Sequence, residues 1–492
     1  MKLGELSATL PDARLAGDPG TVVLGIAHDS RTLKPGELFV AIRGLLADGN
    51  QHVESARKKG AAAIVSEQAA PADSATPWLR VTDAREALAT LSAAFLGEPA
   101  RALTLVGVTG TNGKTTTTYL IDAALRAAEK RVGLIGTIQY RVADRLTESS
   151  RTTPESSDLQ ELFREMVDAR CTHAVLEVSS HSLALKRVHG CAFTVAVFTN
   201  LTRDHLDFHG DMDGYFAAKR LLFASLLRED GVAVINADDA RAAELAAASR
   251  GRVVSYGIEK PADVSARDVQ LTIRGSRFVA RTPAGDLPIE SALLGRFNVQ
   301  NLLAALAAAL ALGVEPATAV RGLESLRGVP GRMERVEAGQ DFAIVVDYAH
   351  TDDALRNLLE TVRDLKPNRV ITVFGCGGDR DRTKRPLMGA VAARLSDVIV
   401  ITSDNPRSEP PESIVEEILR GVNGGRRAER HVIVDRREAI ARAVELARPG
   451  DAVVLAGKGH ETYQVLRDRT VPFDDRQVAR EALQKLLRGS RA

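Results

Sequence analysis

The strongest constraint on this chain is a rhythm. Short runs rich in β-branched residues alternate with stretches of helical apolar spacing almost from end to end. That alternation is the mark of βαβ units, so the expected fold class is α/β with parallel sheets. The 492 residues leave room for roughly three domains at about 150 residues each. In the first, TVVLGIAHDSR, GELFVAIRG, AAAIVS and WLRVT read as strands, residues 85–96 as an amphipathic helix, and GEPARA as a linker. The second opens on the strand LTLVGV and a helix over 114–128, then adds strands at HAVLEVSS, VAVFTN and VAVINAD. Between about 263 and 290 the period switches to two, which predicts an antiparallel insert. A helix from Asn298 follows, and then the Gly/Pro-rich connection LRGVPGRMERV. The third repeats the rhythm with FAIVVDYAH, RVITVFGCGGD, VIVITSDNPR, HVIVD and DAVVLAGKGHE. The expected domains are therefore 1–99, 100–331 and 332–492.

Bulk properties remove several function classes. The 65 basic and 64 acidic residues nearly cancel, unlike the basic excess of a nucleic-acid binder. Cys171, Cys191 and Cys376 are far apart and form neither a disulfide framework nor a CxxC pair, which fits a reducing cytosol. The N-terminal stretch lacks the apolar core of a signal peptide. No run reaches the roughly 18 apolar residues of a membrane span, and the Ala-rich run 302–312 suits a buried helix.

Two stretches carry chemistry. VGVTGTNGKTTTT, residues 106–118, lies between a strand and a helix. Its glycines let backbone N–H groups curl around phosphates, the helix N-terminus favours anions, Lys114 can reach the β- and γ-phosphates, and Thr115 can ligate Mg²⁺. The general GxxxxGK[ST] loop would place glycine at 108, where this chain has Val108. Gly107 comes one residue early and Gly110 does the turning. Glu177, at the end of HAVLEV, can hold the same cation, although a strand-end acid is also compatible with a surface charge. The second stretch is VIVITSDNPR. A turn needs only Asn405 and Pro406, so Asp404 and Arg407 point to something to hold. In open α/β sheets ligands sit at the carboxyl ends of strands, where these residues fall.

TGTNGKTTT resembles the ATP loop of the Mur ligase and folylpolyglutamate synthetase superfamily. EVSSHSL, NLTRDHLDFHG, FNVQNLLAA, PGRMERV, DYAHTDDAL, FGCGGDRDRTKRPLM, DNPR and GKGHETYQ follow in order, and they are similar to the Mur branch that adds the third residue of the peptidoglycan stem peptide. The resemblance runs from HDSRTLKPGELFVAIRG to GKGHETYQ, nearly the whole chain. It implies a central P-loop ATPase-type parallel sheet and a Rossmann-like C-terminal domain. From the N-terminus, the three domains would bind the UDP substrate, ATP and the amino acid. The implied reaction joins meso-2,6-diaminopimelate to UDP-N-acetylmuramoyl-L-alanyl-D-glutamate through an acyl phosphate, using ATP and Mg²⁺.

The resemblance also implies roles, position by position. ATP would be bound by Gly110, Thr111, Asn112, Gly113, Lys114, Thr115, Thr116, Asn298, Arg332 and Asp347. Metal would be held by Thr115, Glu177, His205 and Lys219, with Lys219 carbamylated to N6-carboxylysine. Lys114, His205 and Lys219 would be the catalytic groups. Ser30, Thr152, Thr153, Ser179 and Arg187 would bind the UDP substrate, although Leu185 stands where many relatives carry glutamine. Arg380, Asp404, Asn405, Pro406, Arg407, Gly457 and Glu461 would bind diaminopimelate. Without the resemblance, Lys219 reads as a solvated helix charge, His205 as a cap or loop residue, Asn298 as a helix N-cap and Arg332 as an exposed linker charge. The expected partners are small molecules only, with no nucleic acid and no membrane span, and the chain is expected to act as a cytoplasmic monomer. A folate-polyglutamylating ligase would share the loop but would not need DNPR or the long N-terminal domain. A nucleotide switch would bind ATP without releasing phosphate in response to an amino acid.

An ammonium at the β- and γ-phosphates has no substitute within the loop. Lys114→Ala is therefore expected to abolish ATP-dependent turnover while leaving the circular-dichroism spectrum and melting profile near wild type. Near-normal ligation by the purified variant would contradict this reading.

Overall fold

The computed structural model describes residues 1–44, 47–72, 74–422 and 428–489. The chain divides into two units. The first holds Met1–Ser265 with Ala280–Leu287 and Gln300–Leu323. The second holds Ala266–Val279, Pro288–Val299 and the chain from Glu324 onward.

The first unit contains two sheets. In the N-terminal one the strands run Arg14–Ala16, Trp78–Arg80, Ala63–Ser66, Glu37–Val40 and Gly25–Ala27, all parallel except the first. The run TVVLGIAHDSR yields only Gly25–Ala27, because the chain leaves the sheet edge for a loop around Asp29. Helix Ala84–Phe95 covers the sheet with Ala84, Ala87, Leu88 and Leu91. Its capping residue Asp83 accepts from the N–H groups of Arg85 and Glu86.

In the central sheet Thr104–Thr109 lies between His173–Glu177 and Phe193–Phe198, parallel to both. Val132–Ile135 extends it on one side, Leu227–Asn236 and Arg252–Gly257 on the other. Two further strands, Gln139–Val142 and Arg145–Glu148, fold back antiparallel at the edge. The rhythm gave no sign of them, because the outer one is fully exposed and charged. The period-two stretch forms Val264–Thr272, Gly275–Thr282 and Gly285–Ser291, neighbours joined by two-residue turns and hence antiparallel, as expected. The Ala-rich run lies in helix Arg296–Ala311, where Leu302 through Ala309 are buried.

The second unit is built on a six-stranded sheet in the order Glu334–Arg335, Ala343–Asp347, Ala452–Ala456, Val370–Phe374, Val398–Ile401 and Glu429–Val432. All pairs are parallel except the first. Alternate strand residues go to opposite faces. Val345, Phe374, Ile399, Ile401 and Val454 pack in one core with Leu355, Leu359 and Met388. Ile344, Val346, Ile371, Val373, Val400 and Leu455 pack in the other with Ile440, Val478 and Leu483. Helices on both faces therefore make this a doubly wound sheet. Among the described residues no helix is long and apolar enough to cross a membrane, and all three cysteines are buried and unpaired.

One ion pair locks the carboxyl edge of this sheet. Arg436 and Asp475 are both wholly buried, joined by two hydrogen bonds of 2.8 and 2.6 Å. Arg436 also donates to the carbonyls of Ser403 and Ala456, each just past or at the end of a different strand. Removing one partner leaves the other charge buried and uncompensated, which costs about 3–5 kcal/mol. Arg436→Ala is expected to lose that much in urea denaturation, and the double variant Arg436→Met, Asp475→Leu to recover most of it. A loss below about 1 kcal/mol in the single variant would refute the assignment.

Candidate active site

The phosphate loop follows strand Thr104–Thr109, and helix Lys114–Ala127 starts directly after it. Gly107 is explained by packing, since a Cβ there would run into the Phe193 ring at 2.7 Å. The turn itself is made by Gly110 at φ +150° and Gly113 at φ +87°, backed by Thr199 and the Asn301 carboxamide. Asn200 and Thr199 pin the loop from the neighbouring strand end: Thr111 N–H donates to the Asn200 carbonyl at 2.8 Å, and Thr199 Oγ1 donates to the Asn112 carbonyl at 2.6 Å. The first-turn N–H groups of the following helix have no intrahelical acceptors, which makes its N-terminus an anion site.

Glu177 is not a surface charge; it is 1% exposed. Thr115 Oγ1 donates to its Oε2 at 3.0 Å, while Thr137 donates through its N–H at 2.8 Å and its hydroxyl at 3.1 Å. Because the Thr115 proton points at Glu177, its oxygen lone pairs face elsewhere. A hydroxyl so oriented beside a carboxylate is a donor set that fits Mg²⁺, which keeps most of its shell for water and phosphate. Among the described residues no three His, Cys, Asp or Glu side chains converge into a complete metal cage.

Lys219 corrects the solvated-charge reading. It lies on helix Met212–Leu221, which runs into a π-helical turn over Leu222–Leu226, and it is 1% exposed. Its Nζ donates to the Gly110 carbonyl at 2.8 Å, and Lys114 Nζ donates to the same oxygen at 2.9 Å. Burial first, and the Lys114 charge second, push the Lys219 pKa well down. His205 starts a short helix with φ +53°, its Nε2 3.5 Å from Asp204 and its ring 4.7 Å from His181. Burial lowers the His205 pKa, which keeps the imidazole in the neutral form that metals bind. His181 is lowered to about 4 by burial and then by His205 and His209.

The expected acceptor-binding residues gather next to Glu177, with one exception. Thr153 Oγ1 donates to the Glu177 carbonyl at 2.8 Å, Ser179 N–H donates to Thr153 Oγ1 at 3.2 Å, and Thr152 Oγ1 lies 3.1 Å from Thr137 Oγ1. Arg187 reaches the Thr153 carbonyl at 3.2 Å and pairs with Glu155. Ser30 lies apart, on the loop after Gly25–Ala27, where its carbonyl accepts from Lys59.

In the second unit, Asn298 is not the N-cap. It sits inside helix Arg296–Ala311, buried, and its Nδ2 donates to the Leu294 carbonyl at 2.8 Å. Arg332 is half-buried and lies over the Tyr348 ring at 5.2 Å, so it is not an exposed linker charge. Asp347 accepts from the N–H groups of Met333 and Ala349, and burial raises its pKa.

The DNPR turn is buried from Asp404 to Pro406. Asn405 is a hub: its Oδ1 accepts from Lys458 Nζ and Val465 N–H, both at 3.0 Å, and its Nδ2 donates to Glu461 at 2.9 Å. The Asp404 carboxylate takes no hydrogen bond among the described residues, and Gly457 leaves it room, since a Cβ there would lie 2.6 Å from Oδ2. Arg407 adopts φ +52° and donates through Nη1 to the Gly378 carbonyl at 2.8 Å. Arg380 is exposed and donates to the Asp379 carbonyl in its own loop at 3.0 Å.

Several partners escaped sequence reasoning. Lys458 is wholly buried and pairs with Glu461 at 3.1 Å, and its place inside GKGHETYQ was the available signal. Thr137 carried none.

Three family models match in order: the Mur ligase family catalytic domain over residues 22–96, the Mur ligase middle domain over 108–309, and the Mur ligase glutamate ligase domain over 331–459. A protein of Solibacter usitatus named UDP-N-acetylmuramoyl-L-alanyl-D-glutamate–2,6-diaminopimelate ligase is 51% identical, over 98% of each chain. One of the same name from Geobacillus thermodenitrificans is 47% identical, over 99% of this chain and all of that one. A solved structure of a ligase of that name superposes with a TM-score of 0.73 at 35% identity, covering 99% of both chains. By this likeness along its whole length, the chain belongs to the Mur ligase family.

Proposed function

We propose that this chain is an ATP-dependent amide ligase of peptidoglycan synthesis. It joins meso-2,6-diaminopimelate to the glutamate carboxylate of UDP-N-acetylmuramoyl-L-alanyl-D-glutamate and releases ADP and phosphate. It acts in the cytoplasm as a monomer with domains 1–99, 100–331 and 332–492. The observation that carries the amino-acid assignment is the hydrogen-bonding capacity left over at the DNPR turn. Among the described residues the Asp404 carboxylate accepts no hydrogen bond, and of the Arg407 guanidinium only Nη1 donates one. Diaminopimelate carries both an ammonium and a carboxylate at its far end, one for each. Relatives named for diaminopimelate support the same reading.

A carboxylate is a poor electrophile until it is phosphorylated. ATP supplies the phosphoryl group, and the amine then attacks the acyl phosphate, expelling phosphate. Phosphoryl transfer is mostly positioning and charge neutralisation. The loop Gly110, Thr111, Asn112, Gly113, Lys114, Thr115 and Thr116 cradles the phosphates, and Asn298, Arg332 and Asp347 bind the rest of the nucleotide. Thr115 and Glu177 would hold one Mg²⁺, and His205 and Lys219 a second. The metal, when bound, neutralises charge on the transferred phosphoryl. Ser30, Thr152, Thr153, Ser179 and Arg187 bind the UDP substrate. Asp404, Asn405, Pro406, Arg407, Arg380, Gly457 and Glu461 form the diaminopimelate pocket.

The environment of Lys219 favours carbamylation. A buried amine beside Lys114, its pKa pushed down, is in part unprotonated and nucleophilic. Its lone pair adds to CO₂, a proton leaves to water, and an anion replaces a cation next to Lys114. Lys219→Ala is expected to be nearly inactive and to be partly rescued by short carboxylic acids in the buffer. Full activity of the alanine variant would exclude this role.

The decisive assay is amino-acid-dependent phosphate release with the UDP-dipeptide acceptor and a panel of amino acids. Diaminopimelate is expected to exceed L-lysine by about 10⁴-fold in kcat/KM, because lysine leaves Arg407 desolvated and unpaired. Arg407→Ala should cost about 1.5–3 kcal/mol of diaminopimelate recognition and gain little for lysine. Comparable wild-type efficiency with both amino acids would overturn the assignment. Release with folate and glutamate, or no release at all, would point to the other two readings.

A further inference from the structure

The left-handed backbone of Arg407 needs support, because a non-glycine residue there costs about 1–2 kcal/mol. Such strain persists only where the surroundings over-determine it. The support comes from a second loop, residues 375–380, that meets the DNPR turn through reciprocal contacts. Gly378 N–H donates to the Asn405 carbonyl at 2.9 Å, and Arg407 Nη1 returns a bond to the Gly378 carbonyl at 2.8 Å. A side chain at Gly378 would run into the Pro406 carbonyl, so only glycine lets the loops touch.

Two carboxylates then cross between the loops. Asp379, itself left-handed at φ +53°, accepts from Ser408 Oγ at 2.6 Å and from Ser408 N–H at 3.2 Å. Glu409 accepts from Asp379 N–H at 2.6 Å. Glu409 is gripped in turn by Arg385, whose Nη2 and Nη1 reach its two oxygens at 2.8 and 2.9 Å. The Arg385 side chain is wholly buried and also donates to Glu417 and to the Gly377 carbonyl. Arg385 and the Asp379 N–H hold the Glu409 pKa down to about 2, so the pair stays charged across the working range.

We infer that Glu409, anchored on Arg385, and Asp379 are positioning residues for Arg407: they clamp the two loops together and so aim its guanidinium at the far carboxylate of the amino acid. The inference rests on the ligase reading above. Neither carboxylate is assigned to the substrate, since each is spent on the opposite loop. Their effect on the pocket passes mainly through Arg407, whose guanidinium bonds across to the opposing loop. A fault in the clamp therefore appears in the KM for diaminopimelate and not in that for ATP or the UDP-dipeptide.

The test is a double-mutant cycle on the full chain. Glu409→Gln keeps the side-chain shape and removes the charge that grips Arg385. Asp379→Asn, at an exposed position, weakens the other crossing and serves if the first variant fails to fold. Each is expected to raise the diaminopimelate KM by about tenfold, the scale of one charged hydrogen bond, with the other two KM values within about twofold of wild type. In an Arg407→Ala background the same substitution should add almost nothing, because coupled residues are non-additive. Additivity with Arg407→Ala, an equal rise in all three KM values, or an unchanged diaminopimelate KM in the folded variants would overturn the inference. Absence of diaminopimelate-dependent phosphate release in the wild type would instead overturn the ligase reading itself.

Discussion

The Glu177 carboxylate, buried at the end of a parallel strand, is the interaction from which the catalytic half of the first unit is organised. Burying a charge without partners is prohibitive, so the chain must bring donors to it. It brings Thr115 from the phosphate loop and Thr137 from the strand alongside, while the adjacent backbone carbonyl takes Thr153 from the segment expected to bind the acceptor. A residue tied to all three at once fixes the glycine loop and the segment proposed to bind the acceptor in one frame. Even Gly136 follows from it, since a side chain there would strike the carboxylate.

A second constraint works by repulsion. Lys114 and Lys219 donate to one carbonyl, and Lys219 has no water to spread its charge into. Two ammonium groups on one acceptor in a dry site are tolerable when one is neutral or carries an added negative group. Burial and the neighbouring Lys114 charge thus push Lys219 toward its uncharged form, and a π-helical turn follows its helix directly.

How much of this was legible in the sequence depends on the range of the contacts. The central parallel strands, such as Val370–Phe374, Val398–Ile401 and Ala452–Ala456, were readable because each is a local run buried on both faces, and the phosphate loop because its glycines and lysine lie within a few residues. Lys219 looked like a surface charge in a one-dimensional reading, and only the family resemblance, and then burial, changed that; Glu177 read as a cation ligand with a surface charge as the alternative, which its burial removes. Thr137 was invisible because its partner is 40 residues away. The edge strands 139–148 escaped because the inner one buries only Tyr140 and Val142 and the outer one is exposed throughout. In the second unit the DNPR residues stood out as unneeded by a turn, but their supports did not. Asn405 proved to be a hub tied to Lys458 and Glu461, and Arg380 lay on the surface.

The two ends of the chemistry are built by different means. The expected phosphate site is a helix N-terminus and a glycine turn, both features of the backbone. The side chains proposed to meet the amino acid lie mainly on two loops at the carboxyl ends of adjacent parallel strands, Val370–Phe374 and Val398–Ile401. Those loops hold each other through glycines, crossed carboxylates and one buried arginine. On the proposed reading, a change at the loop tips meets partly exposed side chains such as Arg407 and Arg380, whereas any change at Glu177 breaks three hydrogen bonds in a buried site.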